Sequence, residues 1–429
     1  MKQAFNITIS PGSIRGGVTA IPSKSHLHRL LICAYLADKE TVINSAITES
    51  EDIKATIACL SALGAVIEKT TDGFKITPIQ REHLPKNCIL PCMESGSTLR
   101  FMLPIVCALG VRGEFHLAGR LPVRPLAPLE TELIRGNVRI SRPKPHIICC
   151  EGQLRHGAFN LPGNISSQYI TGLLLALPIL GRSSSLTVTE PVESENYIAL
   201  TLEVLKAFGQ SPQISRNHYE ISGMGKFTSP KILSAEGDWS NGAFWLCAGA
   251  MPGGNIQVHG LQNESLQGDR QICAILEQMG ALVKWDGDNL FVSEGKRRGI
   301  EIDAANIPDL IPALSAVAAV GNGVTVIKNA ARLRLKESDR LRAITHCLNT
   351  LGADVTENAE GLLIQGTSRL TGGIVDSFGD HRIAMMAAIA SAACLEPVTI
   401  KNAQAANKSY PDFFKILSQM GKKVEVRHG

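Results

Sequence analysis

The chain has 429 residues, of which 44% are hydrophobic, 19% charged and 5% aromatic. That length suggests two or three domains, and that composition excludes a disordered chain and allows a core built without disulfides or metals. The 43 Lys and Arg against 39 Asp and Glu leave a formal charge of +4, which excludes a strongly basic polymer-binding chain but allows a local basic cleft for an anionic substrate.

The chain opens on MKQAFNITISPG, which lacks the apolar centre of a secretory signal and carries a lone strand, FNITIS. An apolar helix (HRLLICAYLA), a strand (ETVINSA), a second helix ending at Gly64 (EDIKATIACLSALG) and a hairpin (AVIEKTTDGFKIT) follow. The same order then returns. Apolar helices recur in LRFMLPIVCALG, QYITGLLLALPIL, GAFWLCAGAM, LIPALSAVAAV and RIAMMAAIASAAC. Each precedes a strand: GEFHLAG, SLTVTE, NIQVHG, VTVIKNA and PVTIKNA. The second helices end at Gly136, Gly209, Gly280, Gly352 and Gly421, so the steps from Gly64 onward are 72, 73, 71, 72 and 69 residues. Five of the six copies carry Leu four residues before the glycine (Leu60, Leu205, Leu276, Leu348 and Leu417), the mark of a buried helix face closed by a glycine cap.

The spacing predicts six βαβαββ units of roughly 71 residues. The first helix of each is apolar nearly all round and therefore interior. The expected fold is α/β, with two similar domains of three units each, residues 22–234 and residues 1–21 plus 235–429. The last copy, KKVEVRHG, stops after one strand, so FNITIS is expected to complete it. The chain then crosses between domains near residues 21 and 235, and the active site is expected in the cleft between them.

No stretch reaches the roughly 20 apolar residues that span a bilayer. The longest apolar runs, Ile170–Leu180 and Leu310–Val320, are broken by Gly or Pro. The eleven cysteines are odd in number and form no CxxC pair, so they read as reduced thiols of a cytoplasmic protein.

The chemistry lies where the interior helices start: PSKS at 22–25, ESGS at 94–97, NISSQ at 164–168, EGD at 236–238, IPD at 307–309 and FGDHR at 378–382. Ser and Asp there are ordinary helix caps. Lys24, Arg29, Arg100 and Arg382 are not, because cations oppose the helix dipole unless an anion is shared. A second set of basic loops holds Arg120, Arg124, Lys336, Arg340 and Lys408. Lys336 and Arg340 share a helix face if their helix begins early. Such cations suit small substrates with several anionic groups. They are singles about a repeat apart with no stacking aromatics, which argues against nucleic acid. No metal-ligand spacing or dinucleotide motif occurs, so no cofactor is expected.

Jointly, PSKSxxHR at 22–29, SGSTLRF at 95–101, SSQY at 166–169, EGDWS at 236–240, LKESDR at 335–340, GDHRIAM at 379–385 and KSYPDFF at 408–414 are specific. On these residues the chain resembles the EPSP synthase family over essentially its whole length. The resemblance implies an inside-out α/β barrel in each domain. It also implies transfer of the enolpyruvyl group of phosphoenolpyruvate to shikimate 3-phosphate, without a metal or cofactor. By resemblance, Lys24, Ser25 and Arg29 contact the shikimate phosphate, and Ser166, Ser167 and Ser194 make the other phosphate and ring contacts. Gln168 lies against both substrates. Lys24, Gly96, Arg124, Arg340, Arg382 and Lys408 match phosphoenolpyruvate-binding positions. Asp309 and Lys336 match contacts to ring hydroxyls, and Asp309, Glu337 and Lys24 are the expected catalytic residues. A monomer with no membrane or nucleic-acid partner is implied.

Three residues depart from the family pattern: Glu94 for a usual Asn, Ser97 for Thr, and Arg332 for an Asn near the shikimate phosphate. An extra carboxylate at Glu94 weakens phosphoenolpyruvate binding unless it is turned away or paired. Two alternatives remain. The sister transferase acting on UDP-N-acetylglucosamine usually has a Cys after the strand matching GEFHLAG, and residues 111–130 contain none. The other is a non-catalytic anion-binding protein on the same fold.

Overall fold

The computed structural model describes residues 4–46, 50–223 and 225–428. Residues 1–3 of the N-terminal stretch and Gly429 of the last strand copy lie outside them. The chain divides into two compact units, Met1–Ile21 with Glu236–Gly429, and Pro22–Ala235.

The helices come in pairs along the chain. They are α1 (Lys24–Leu36) and α2 (Glu51–Ala62), α3 (Gly96–Leu109) and α4 (Ala127–Arg135), and α5 (Ser167–Ala176) and α6 (Glu195–Ala207) in one unit. In the other they are α7 (Trp239–Ala250) and α8 (Ile272–Gln278), α9 (Ile311–Ala318) and α10 (Arg340–Thr350), and α11 (His381–Ala390) and α12 (Phe413–Gln419). The odd-numbered helices are the interior ones. Every residue of α7, α9 and α11 is buried, as a helix without a polar face requires. The even-numbered helices keep one buried stripe, in α10 formed by Leu341, Ile344, Cys347 and Leu348.

Five interior helices start on a side-chain cap. The hydroxyls of Ser23, Ser95 and Ser166 and the carboxylates of Asp238 and Asp380 each accept a backbone N–H of the first turn. Helix α9 instead has Pro312 in its first turn, where a missing N–H costs nothing. The repeat glycines after α2, α6, α8, α10 and α12 have φ between 76° and 98°, the left-handed geometry that closes a helix. Gly136, in the degenerate copy, ends its helix at φ −78° instead.

Among the described residues each unit holds three four-stranded sheets, and all six share one plan. In the sheet around α3, strand Asn87–Met93 pairs parallel with Arg112–Leu117 across the helix. Arg112–Leu117 pairs antiparallel with Ile147–Glu151, whose other neighbour is the edge strand Arg139–Lys144. Each unit also has its own apolar core, formed between sheets and helices. The fold is therefore α/β with interior helices in both units, an inside-out barrel.

Strand Phe5–Ile9 lies between Val398–Lys401 and Val424–His428, so the N-terminal strand completes the last repeat. Two of the repeats are not contiguous in sequence, although each keeps the βαβαββ plan. Arg15–Thr19 precedes α1 in sequence but pairs parallel with Asn255–His259, the strand after α7. Ile232–Ser234 precedes α7 but pairs parallel with Thr41–Asn44, the strand after α1. The first strand of each of these repeats thus comes from across a chain crossing.

Candidate active site

In the unit Pro22–Ala235, the starts of α1, α3 and α5 carry the expected residues. Lys24 Nζ pairs with Asp52 Oδ2 at 2.7 Å, a buried carboxylate in the first turn of α2. Part of the charge at this helix start is therefore answered by the protein itself. Sequence reasoning missed Asp52; its one signal is an acidic residue in the first turn of a second helix.

Arg29 is buried, with its donors on neutral oxygens. Nε donates to Thr201 Oγ1 at 2.8 Å, Nη1 to the Ser25 carbonyl at 2.6 Å, and Nη2 to Thr171 Oγ1 at 3.2 Å and the Tyr197 carbonyl at 3.1 Å. Burial lowers its pKa to about 10. These bonds use four of the five guanidinium N–H groups, so one Nη1 N–H is left for the phosphate contact that the resemblance implies.

Gly96 is the first residue of α3. A Cβ built there would lie 2.6 Å from Arg100 Nη1 and 2.9 Å from Arg124 Nη1, so any side chain at this position would push the two guanidinium groups from where they lie. Two guanidiniums beside the N–H groups of a helix start are donors of the kind that suit an anion. Arg100 Nη1 also donates to Gln168 Oε1 at 2.8 Å, and Gln168 Nε2 donates to Ser97 Oγ at 2.9 Å. Ser166 caps α5 through the Gln168 N–H at 3.3 Å, and Ser167 is buried in the first turn. Ser194, buried before α6, has φ 58° and ψ 40°. A left-handed serine is a strained geometry that tends to sit at functional positions.

Glu94 is exposed, and its carboxylate packs against Gly119, where a Cβ would lie 2.5 Å from Glu94 Cδ. The extra charge is thus turned to the Gly119 turn. Arg332, the other charged departure, donates through Nη2 to the Ala305 carbonyl at 2.6 Å in the second unit.

In that second unit Arg340 is the centre, with its side chain 1% exposed. Nη1 donates to Asp309 Oδ1 at 2.7 Å, Nη2 to Glu337 Oε2 at 2.8 Å and Nε to Asp380 Oδ2 at 2.8 Å. Lys336 Nζ lies 3.7 Å from Asp309 Oδ1, Arg382 Nε 3.4 Å from the same oxygen, and Lys408 Nζ 3.9 Å from Glu337 Oε1. Three carboxylates and four cations thus form one network. Asp380 does two jobs, accepting from the Arg382 backbone N–H at 2.9 Å while holding Arg340. The cap that sequence reasoning gave it was half of its role. Helix α10 begins only at Arg340, capped by Asp339, so Lys336 and Arg340 do not share a helix face. They meet through Asp309 instead.

The charges are set by this network. Burial alone would lift Asp309, but Arg382, Lys336 and Arg340 outweigh it and hold the carboxyl well below the usual carboxylate range. Burial pushes Lys336 down to about 8, with Arg340 and Arg332 adding to the shift and Asp309 opposing it. Burial and Asp309 raise Asp269 to about 6, while Arg382 and a hydrogen bond from Ser240 pull the other way. Among the described residues, no group of three His, Cys, Asp or Glu side chains could hold a metal ion.

The family model described as EPSP synthase (3-phosphoshikimate 1-carboxyvinyltransferase) matches residues 9–417. A 3-phosphoshikimate 1-carboxyvinyltransferase of Clostridium novyi is 41% identical over 428 residues, covering 97% of each chain. One from Clostridioides difficile is 40% identical over 433 residues, covering 98% of each. Among solved structures, EPSP synthase from Acinetobacter baumannii superposes with a TM-score of 0.81 at 25% identity, covering 99% of this chain and 100% of that one. The enolpyruvyl transferase NikO of Streptomyces tendae shares the fold, with a TM-score of 0.77 at 15% identity over 100% of this chain and 99% of that one. With the family model matching nearly the whole chain and relatives 40–41% identical along its length, the chain belongs to the EPSP synthase family, the 3-phosphoshikimate 1-carboxyvinyltransferases.

Proposed function

We propose that this chain carries out its family's reaction through residues of both units. The reaction transfers the enolpyruvyl group of phosphoenolpyruvate to the 5-hydroxyl of shikimate 3-phosphate and releases phosphate. In this reading Lys24, Ser25, Arg29, Ser166, Ser167 and Ser194 hold the shikimate phosphate and ring, with Asp309 and Lys336 on the ring hydroxyls. Lys24, Gly96, Arg124, Arg340, Arg382 and Lys408 hold phosphoenolpyruvate, and Gln168 touches both.

The chemistry is addition followed by elimination. Glu337 or Lys24 delivers a proton to the methylene carbon of phosphoenolpyruvate. The 5-oxygen bonds to the adjacent carbon as its own proton passes to Asp309. The C–O bond to phosphate then breaks, and the methyl group returns a proton, restoring the double bond. Positioned acids and bases, and cations facing the departing phosphate, are what these steps need.

The observation that supports this reading most is the Arg340 network. Three of the cations assigned to phosphoenolpyruvate, Arg340, Arg382 and Lys408, are held by the two carboxylates assigned to proton transfer. Asp309 bound by three cations is a weak base. An incoming carboxylate or phosphate competes for Arg340, Arg382 and Lys408, and loosens Asp309 and Glu337 as it binds. Substrate binding then prepares the acid and the base together, because a carboxylate that loses a cation gains basicity.

The reading includes a monomer acting in the cytoplasm; the eleven free cysteines fit a reducing compartment. Phosphate release from phosphoenolpyruvate is the test, run with shikimate 3-phosphate and with UDP-N-acetylglucosamine as acceptors. Release with shikimate 3-phosphate alone is expected. Release only with the sugar nucleotide overturns the proposal.

A further inference from the structure

The Gln168 carboxamide is held at both ends. Its oxygen accepts from Arg100 Nη1 at 2.8 Å, and its nitrogen donates to Ser97 Oγ at 2.9 Å. This orientation is fixed by chemistry. A guanidinium only donates, so the atom facing Arg100 is the oxygen, which leaves the nitrogen for Ser97. Arg100 is itself held by the Pro125 carbonyl at 3.1 Å and by the Tyr169 ring, 5.5 Å from its centre.

The clamp follows from the repeat. Ser97 and Gln168 are 71 residues apart and each is the second residue of its interior helix. Helices α3 and α5 come close because residue 172, one turn beyond Gln168, is glycine. A Cβ there would run into the Arg100 carbonyl and lie 2.9 Å from Pro104 Cγ. At that approach a short hydroxyl at residue 97 spans the gap between helix starts.

We propose that Ser97 is a positioning residue that, with Arg100, fixes the Gln168 carboxamide for the transfer reaction. The inference rests on the assignment of Gln168 to both substrates. With one N–H on Ser97 and one lone pair on Arg100, Gln168 keeps one N–H and one lone pair for ligands. Without Ser97 the nitrogen end swings freely, and the amide must be ordered on binding. The hydroxyl is what matters, so the threonine usual in the family serves equally.

The test is steady-state kinetics on the full chain for Ser97→Ala, Ser97→Thr, Gln168→Ala and the Ser97→Ala/Gln168→Ala double variant, with thermal melting as a check on the fold. Losing one neutral hydrogen bond predicts a fall in kcat/KM of roughly three- to tenfold for Ser97→Ala, with an unchanged melt. Ser97→Thr is expected within about twofold of the parent, because the hydroxyl that makes the bond is kept. In the Gln168→Ala background the Ser97→Ala change is expected to cost nothing further, since Ser97 acts through Gln168. Parental kinetics for Ser97→Ala, or an equal loss in both backgrounds, overturns the clamp. Parental kinetics for Gln168→Ala instead overturns the assignment of Gln168, so the two failures are told apart.

Discussion

Arg340 Nη1 donates to Asp309 Oδ1 at 2.7 Å, and the Arg340 side chain is 1% exposed. The residue assigned to accept a proton is thus tied to a residue assigned to bind phosphoenolpyruvate. Asp309→Ala is expected to lower kcat for phosphate release by about 100-fold or more, the scale of a lost general base. The fold should survive, because Glu337 and Asp380 still compensate Arg340. Phosphate-release kinetics with circular dichroism checks this, and retained turnover removes Asp309 from its role.

Removing the other partner has a different outcome. Arg340→Met leaves Asp309, Glu337 and Asp380 without their shared cation, and Asp380 is fully buried. Breaking a buried ion pair from one side costs about 3–5 kcal/mol. Urea unfolding of this variant should show a larger loss of stability than that of Asp309→Ala. Equal midpoints would show that the network does not hold the structure.

Glu94 gives a prediction of no effect. Its carboxylate packs on Gly119, while the Gly96 surface is covered by Arg100 and Arg124. Glu94→Asn is therefore expected to leave the KM for phosphoenolpyruvate within about twofold of the parent, as for an exposed, solvent-screened charge. A several-fold drop in KM would mean that the carboxylate faces the ligand.

Lys422 predicts a pH dependence. It is 3% exposed, and its Nζ donates to the Gly12 carbonyl at 2.9 Å. Burial lowers its pKa from 10.5 to about 8, with Cys394 opposing weakly. The folded pKa lies below the unfolded one, so the charged form is disfavoured by folding. The cost is absent above pH 10.5, grows as pH falls through the window, and is complete below about 8. Lys422→Met should stabilise the protein at pH 7 by on the order of 2 kcal/mol. It should also flatten the rise in stability between these pH values, measured as urea midpoints.

The reading from residues alone was strongest where local chemistry decides. A helix that is apolar all round, such as RIAMMAAIASAAC, has nowhere to sit but inside, and all of α11 is buried. Glycines spaced by about a repeat closed five helices in the left-handed geometry, because only glycine adopts it without strain. Serines and aspartates before apolar runs became caps. The cations at those starts were legible as well, since they contradict the helix dipole.

Pairing between distant residues was legible only where a repeat was visibly incomplete, as for FNITIS at the last copy. Nothing local in RGGVT or ILS shows that the strands at 15–19 and 232–234 exchange places, because a short strand's partner depends on which neighbour the crossing brings alongside. The same holds for the site. The sequence by itself determined six repeats, their interior helices and the basic helix starts, since periodicity and capping are local properties of the chain. Only the tertiary structure decided that Lys24 meets Asp52, that Arg340 gathers Asp309, Glu337 and Asp380, and that Ser97 reaches Gln168. Those contacts join residues that the fold, and not the spacing, sets within hydrogen-bond range.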